Sequence, residues 1–457
     1  MLLDVFTNEL EQLMKQGNDC LKQNKQQQAL LYFNKVVLLA SKNIDALMAC
    51  ANVLIQLNRP AEAAIYSQHA LQINPTFNIL TMHAKALYQM GKYVEALNCF
   101  ERILAEQPNN YITMGQRALC LTQINRYDDA LVGYEHALKY SNYQDAWVHY
   151  NYSLCLLATG KLLQGFKFFE SRWLCSLQEK CRAWVIPESA TVETLQGKSI
   201  LICFEQGLGD SIQFFRYIPL LAQLGAQVFL EIQPSLIPLF DSWRNTVSFI
   251  DAGAPLPSCD YQCSMMSLPR LFKTEMHTIP RSIPYLFIDA QSIDICQTKL
   301  GYSTYKRIGI AWKGSPTNAM NRKRSIALNV LLTLHQLNLD FICLQKDVHL
   351  EEKNQLDQHK IKYHSLELST MIGTAALISC LDLVITVDTS IAHLAAAMGK
   401  EVWILLPFSA DWRWFLQRND SPWYPNAKLF RQETLDDWSV PLSRVKHALI
   451  ALGINHV

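Results

Sequence analysis

A spacing of about 34 residues, repeated over the first third of the chain, constrains its fold more than any other feature. Ala29, Ala63, Ala96, Ala130 and Gly165 stand 34, 33, 34 and 35 residues apart. Four positions after them stand Phe33, Ser67, Phe100, Tyr134 and Phe169. Nine before them stand Cys20, Leu54, Leu87, Leu121 and Leu156, and twelve before them Gly17, Ala51, Ala84, Ala118 and Ser153. Pro75 and Pro108 close two of the units. Such a period marks stacked units, none of which buries its apolar face alone. Each unit reads as two antiparallel helices: small residues let the backbones approach, and the aromatic fills the gap to the next unit. The fifth unit departs from the pattern. Gly165 replaces alanine, and Phe168, Phe169 and Trp173 crowd its second helix. That predicts a face docked on the following domain rather than a polar cap.

The small–large–small pattern resembles tetratricopeptide repeats, which implies an all-α solenoid over residues 1–175. A solenoid of this kind offers a concave groove for a protein or peptide. The plainer alternative is a scaffold that positions or dimerises its neighbour. A polar linker carrying Pro187 follows at 176–197.

The chain has 457 residues, enough for roughly three domains. Lys and Arg total 41 against 40 Asp and Glu, which argues against a protein that holds nucleic acid through broad phosphate neutralisation. No apolar run approaches the roughly 20 residues of a bilayer-crossing helix, so no transmembrane segment is expected. The first residues lack the basic start and apolar stretch of a signal peptide. The 13 cysteines then read as reduced, buried thiols, and a cytoplasmic location is expected. Cys259 and Cys263 have no second pair to complete a zinc site.

After the linker, short apolar runs alternate with helical spacing. Strands are predicted at 199–204, 227–232, 247–250 and 261–265, with helices at 210–224 and 234–243. The pattern restarts with strands at 307–312, 340–344, 383–387 and 401–405 and helices at 328–337, 370–380, 389–398 and 441–452. Two blocks of alternating strand and helix mean two parallel α/β sheets, at 198–303 and 304–457. Ligands of such sheets sit at the carboxyl ends of the strands.

Four segments carry candidate chemistry. Gly207-Leu208-Gly209-Asp210 follows the first strand. A dinucleotide fingerprint needs a small residue where Ile212 stands, so a nicotinamide site is not indicated. The glycines mark a sharp turn that something approaches closely. Asp210 is either a helix N-cap or a general base at the cleft mouth. Asp388-Thr389-Ser390, with His393 one turn on, sits where a buried strand becomes a helix. Free N–H groups and the helix dipole there suit a phosphate. Asp388 either caps this helix or accepts from a sugar hydroxyl, and the alternative for the segment is a capped helix with a core histidine. Lys313 ends the first strand of the second block beside Gly314, placed to reach a diphosphate. Arg324, in the basic run 322–324, is the secondary candidate, and a solvated charged loop is the alternative for both. Aromatics at 412–414 and 423–424 stack on a base or sugar, or pack the last helix across onto the other sheet; packing is the first reading. No Asp-x-Asp motif and no P-loop occurs.

Gly207-Leu208-Gly209-Asp210 with Gln213-Phe214, followed by Asp388-Thr389-Ser390-x-x-His393-Leu394-Ala395, resembles the glycosyltransferases related to bacterial heptosyltransferases (family 9). The likeness extends to bacterial proteins that fuse tetratricopeptide repeats to such a domain, and Trp412-Arg413-Trp414 and Ser421-Pro422-Trp423-Tyr424-Pro425 fit that group. It implies a GT-B architecture with the acceptor held by the first sheet domain and a nucleoside-diphosphate sugar by the second. It also implies inversion at the anomeric carbon with no metal or other cofactor. By position Asp210 matches the proposed base, and Asp388, Thr389, Ser390 and His393 the donor segment. Lys313 matches the donor-contacting lysine, although the loop after it departs from the family. Repeats before a GT-B fold are also similar to the O-linked N-acetylglucosamine transferases, whose site segments differ more. Two rivals remain: a non-catalytic repeat adaptor with a degenerate transferase fold, and a nucleotide-sugar epimerase or reductase.

Overall fold

The computed structural model describes residues 2–175, 186, 191–315 and 321–452. Most of the expected linker and Pro316 therefore lie outside the described residues. The chain divides into two compact units, Met1–Tyr152 and Ser153–Val457, the division falling inside the helix Ala146–Ala158.

The first unit is a stack of helix pairs: Leu2–Lys22 with Gln26–Leu39, Ile44–Gln56 with Pro60–Ile73, Phe77–Gln89 with Tyr93–Glu106, and Tyr111–Gln123 with Tyr127–Tyr140. The alanine anchors and the small residues Ala51, Ala84 and Ala118 have no exposed surface. Sterics explain the small positions. A Cβ added at Gly17 would stand 2.4 Å from Phe33 Cε1. The aromatic thus fills space inside its own pair, as well as the core it shares with Cys50, Ala51 and Leu54 of the next. A further register of the repeat was not read from the sequence. Asn24, Asn58, Gly91 and Asn125, five residues before each anchor, have φ between 56° and 82°. Each occupies the left-handed position that ends the first helix of its pair. Only glycine and asparagine adopt that position routinely.

The second unit begins within the first helix of the fifth pair, contains its second helix, Leu162–Phe169, and holds two sheets. The first contains β1 (Ser199–Cys203), β2 (Gln227–Ile232), β3 (Val247–Asp251) and β4 (Tyr261–Ser264), in the order β3-β2-β1-β4. The second contains β5 (Arg307–Ala311), β6 (Asp340–Cys343), β7 (Lys362–Tyr363), β8 (Leu383–Val387), β9 (Val402–Leu406) and β10 (Ala427–Arg431), in the order β10-β9-β8-β5-β6-β7. Every strand pair is parallel. β8 and β9 are buried at every residue, as expected of strands covered on both faces.

The eight predicted strands are present within a residue or two. The predicted helices need correction. The segment 210–224 is two helices, Leu208–Phe214 and Ile218–Gln223, because Pro219 starts a new one. The segment 234–243 is a 3₁₀ helix, Pro234–Trp243, with Pro238 denying it the α pattern. The segment 328–337 is one α-turn, Leu328–Leu331, running into a 3₁₀ stretch, Leu332–Gln336. β7, β10 and the helices Ala290–Leu300 and Leu350–Gln358 were not anticipated.

The fifth pair packs on the sheets, as its aromatic excess predicts. Phe166 meets Trp412 edge-on at 5.7 Å, and Phe169 lies 6.4 Å from the same ring. Gly165 is required here, since a Cβ would fall 2.7 Å from Leu157 Cδ2. Arg172, in the 3₁₀ turn Glu170–Cys175, ties this pair to the end of β1. Its Nε and Nη2 donate to both carboxylate oxygens of Glu205, at 2.7 and 2.9 Å. Nη1 donates to Glu170 and to the Phe169 carbonyl, and Nη2 also reaches Ser267. The guanidinium lies 4.4 Å from the rings of both Phe169 and Trp173. No helix among the described residues is long and apolar enough to cross a membrane.

Removing one member of a buried ion pair strands the other, at a cost of about 3–5 kcal/mol. Arg172→Ala is expected to destabilise the second unit by that amount, because Glu205 has no exposed side-chain surface through which to regain water. The midpoint of denaturant unfolding followed by tryptophan fluorescence measures it; a midpoint within error of wild type contradicts the assignment.

Candidate functional site

Strand order reverses in the first sheet between β1 and β4, and in the second between β5 and β8. At such a point successive connections leave on opposite faces and open a crevice beyond the strand ends. A cavity of about 430 Å³ occupies this region between the sheets. Gly207, Gly209 and Asp210 line it from the first sheet; Lys313, Arg324, Asp388, Thr389, Ser390 and His393 line it from the second.

The two walls meet where helix Leu208–Phe214 packs on helix Ser390–Ala397. A Cβ at Gly209 would lie 2.9 Å from His393 Cδ2 and 3.6 Å from the Ser390 Cα. The close approach expected at this glycine is thus made by the opposite wall. Gly207 is different: its φ is −88° and a Cβ there would meet nothing closer than Asp210 Oδ2, at 3.5 Å.

Asp210 is not the N-cap. Gly207 holds that position, and Asp210 stands at the third helical residue, where its Oδ2 accepts from the Gly207 N–H at 2.9 Å. Its Oδ1 pairs with Nη2 of Arg413. Arg413 also donates from Nε to Gln213 Oε1 and from Nη1 to Asp411 Oδ1, each at 2.9 Å, and its guanidinium lies over Trp412 at 4.5 Å. Burial raises the Asp210 carboxyl above the usual range, while Arg413 and the Gly207 N–H pull the other way. Desolvation thus outweighs the two groups that favour the charged carboxylate. Arg413 was missed as a site residue, because a single cation inside an aromatic cluster reads as packing.

Asp388 does not cap the following helix either. Thr389 does, its Oγ1 accepting from the Ile391 N–H at 3.2 Å and lying 3.3 Å from Thr386 Oγ1. Asp388 is left buried at the end of β8, and its carboxyl is pushed up to about 6. Burial is the main cause and nearby Asp411 adds to it, while Arg324, Trp414 and Arg413 oppose both. Arg324 ends the one-turn helix Asn321–Arg324, close against Gly314: a Cβ there would meet Nη2 at 2.6 Å. Its Nε is buried with no hydrogen-bond partner among the described residues.

Lys313 lines the cavity, yet its Nζ lies 2.5 Å from Glu352 Oε2 on helix Leu350–Gln358. Glu352 also accepts from Trp312 Nε1 and the His349 N–H. The lysine is therefore held back by a partner that sequence spacing did not reveal. His393 is buried, stacked on Trp414 at 5.4 Å, with Nδ1 3.0 Å from Tyr424 OH. Burial, then Arg413, Arg216 and Arg324, hold its pKa well below the ordinary value, so the ring is neutral.

Residues 22–103 match the family described as anaphase-promoting complex, cyclosome, subunit 3, and residues 81–139 match tetratricopeptide repeat. Residues 327–409 match glycosyltransferase family 9 (heptosyltransferase), a span that includes Asp388–His393. Protein FlbA of Caulobacter vibrioides is 25% identical over 430 residues, covering 88% of this chain and 72% of FlbA. Among solved structures, MamA of Desulfovibrio magneticus aligns with a TM-score of 0.33 at 14% identity, over 38% of this chain and 98% of that one. YrrB, described as a tetratricopeptide protein with an unusual peptide-binding site, aligns with 0.31 at 18%, over 38% and 93%.

Two substitutions probe this geometry. Gly209→Ala crowds His393 and should cost about 1–3 kcal/mol, whereas Gly207→Ala meets no atom closer than ordinary contact and should fold normally; equal losses in a melting experiment contradict the close approach. Asp388 binds its proton more tightly folded than unfolded. Its penalty is therefore absent below about pH 4 and complete above about 6. Asp388→Asn should stabilise the protein at neutral pH by up to about 3 kcal/mol, with the gain vanishing in acid; a gain that persists below about pH 4 has another origin.

Proposed function

We propose that this chain, which carries tetratricopeptide repeats and a glycosyltransferase family 9 domain, is an inverting glycosyltransferase. It moves a hexosyl or heptosyl group from a nucleoside-diphosphate sugar to a protein or glycan acceptor that the repeats recruit or position. One observation carries the reading: a cavity lined from both parallel sheets, with an acid of raised pKa on one wall and, on the other, a helix N-terminus beside a buried guanidinium nitrogen that has no partner among the described residues. Numbered within each block, the strand orders are 3-2-1-4 and 3-2-1-4-5-6, which support the GT-B architecture. The first sheet domain takes the acceptor side and the second the donor side.

In this mechanism the diphosphate lies against the start of helix Ser390–Ala397 and Arg324. Asp210 accepts the proton of an acceptor hydroxyl as that oxygen attacks the anomeric carbon. The bond from that carbon to the diphosphate oxygen breaks, and the leaving group keeps the electron pair. Charge grows on the diphosphate as the bond lengthens, so fixed donors there act mainly on the transition state. Arg324 is the stronger candidate for this work than Lys313, whose charge Glu352 already offsets. Arg324 and the helix terminus supply the positive potential at the diphosphate, since Arg413 is already paired with Asp210 and Asp411.

One observation favours the adaptor reading instead. Both Asp210 oxygens are engaged, by Gly207 and Arg413, which is how a structural carboxylate is held. The decisive experiment screens uridine, guanosine and adenosine diphosphate sugars for nucleotide release, beside thermal shifts with the free nucleotides. Asp210→Asn should lower turnover about 100-fold. Arg324→Ala should remove most of the nucleotide-induced thermal shift, and Lys313→Ala less of it. No shift with any nucleotide makes the chain an adaptor.

A further inference from the structure

Tyr424 has no part in the mechanism above, yet its phenol is buried beside the cavity wall. A buried O–H must donate to something. Three polar groups surround it: Nδ1 of His393, at 3.0 Å, the Tyr285 hydroxyl and the Arg216 guanidinium. The neighbouring Tyr285 OH donates to the Ile212 carbonyl at 3.0 Å and accepts from Arg216 Nη2 at 3.3 Å. Arg216 is itself a buried cation, held by the carbonyls of Gln213, Pro280 and Trp423 and lying 4.5 Å from the Tyr424 ring. With that charge close by, the phenol turns its lone pairs toward Arg216 and its proton toward the imidazole. Nδ1 is then an acceptor, and in a neutral ring the proton must sit on Nε2. The Cδ2–Nε2 edge is the one that faces Gly209, and His393 lines the cavity. Trp414, stacked on the ring with planes 27° apart, keeps that edge from rotating.

We propose that Tyr424 is a positioning residue that fixes His393 as the Nε2–H tautomer, so that a neutral imidazole presents a hydrogen-bond donor to the cavity. Such a group cannot act as a base, because its only lone-pair nitrogen is occupied by the phenol. It can donate to an anionic oxygen without adding a full charge beside Arg324 and Arg413. That last step, in which the oxygen belongs to the diphosphate, rests on the glycosyl-transfer reading; the tautomer does not.

The test uses the full chain grown with isotope-labelled histidine, and long-range nitrogen–proton spectra at neutral pH. The His393 signals are assigned by their loss in His393→Gln. The expected result is an acceptor-type shift for Nδ1 and a protonated-type shift for Nε2, with a mixture of tautomers in Tyr424→Phe. A proton on Nδ1 in the wild type, or an unchanged tautomer in Tyr424→Phe, overturns the proposal. Thermal shifts with uridine, guanosine and adenosine diphosphates follow. His393→Gln, whose amide nitrogen mimics Nε2, should keep most of the shift, while His393→Asn, which mimics Nδ1, should lose it. Tyr424→Phe should weaken nucleotide binding about 10-fold. If the tautomer is as assigned and no nucleotide shifts the wild type, the glycosyl-transfer reading falls alone. If nucleotides bind but the proton lies on Nδ1, the role of Tyr424 falls alone.

Discussion

Two buried arginines cross between the sheets in opposite directions, and the cavity depends on them. Arg413 leaves the loop after β9 and reaches Asp210 and Gln213 on the first sheet's helix. Arg216, just beyond that helix, reaches back to the Trp423 carbonyl and the Tyr424 ring. Neither guanidinium has water to return to, so each must keep its partners or bear a desolvation cost of several kcal/mol. Sliding one sheet over the other would break both sets at once. The gap between them is therefore set in width before any ligand arrives, which is the condition for electrostatic preorganisation.

The same cations tune the acids and the imidazole around them. Arg413 pulls Asp210 down while burial pushes it up, and burial prevails. Arg413, Arg216 and Arg324 together oppose an imidazolium at His393. Asp388 is raised further because Asp411 adds a like charge to its loss of water. The site so assembled holds cations that stay charged, acids reluctant to be charged, and a histidine kept neutral.

Much of this was legible in the sequence, for reasons specific to each element. The repeat could be read because small residues recur wherever two helices touch, and Gly17 and Gly165 mark contacts with no room for a methyl group. The central strands could be read because they are apolar runs, β8 and β9 being buried at every residue. β10 escaped notice because Lys428 and Arg431 interrupt its apolar run and it lies after a run of aromatics and prolines. The two-residue β7 is too short to show a period. Gly207, Gly209, Asp210, Lys313, Arg324, Asp388, Thr389, Ser390 and His393 line the cavity, since strand ends and turn glycines fix where a chain must go, whereas the aromatics of the fourth segment do not. The partners did not follow: the pairs of Asp210 with Arg413 and Lys313 with Glu352 span 203 and 39 residues. Sequence spacing carries no information about such contacts. The capping alternative left open for Asp210 and for Asp388 fails at both helix starts, where Gly207 and Thr389 hold the position, because Asp, Thr and Gly all suit it.

The left-handed residues Asn24, Asn58, Gly91 and Asn125 have a consequence for how this solenoid tolerates change. They act as punctuation, one full stop per pair, in phase with the anchors. Losing or duplicating a whole pair keeps every stop in phase. Inserting one residue inside a helix rotates everything after it by about 100°, turning anchors outward while the stop stays behind. Length variation in this part of the protein is therefore quantised: whole modules are the natural currency of its evolution and engineering, and fractions of a module are not.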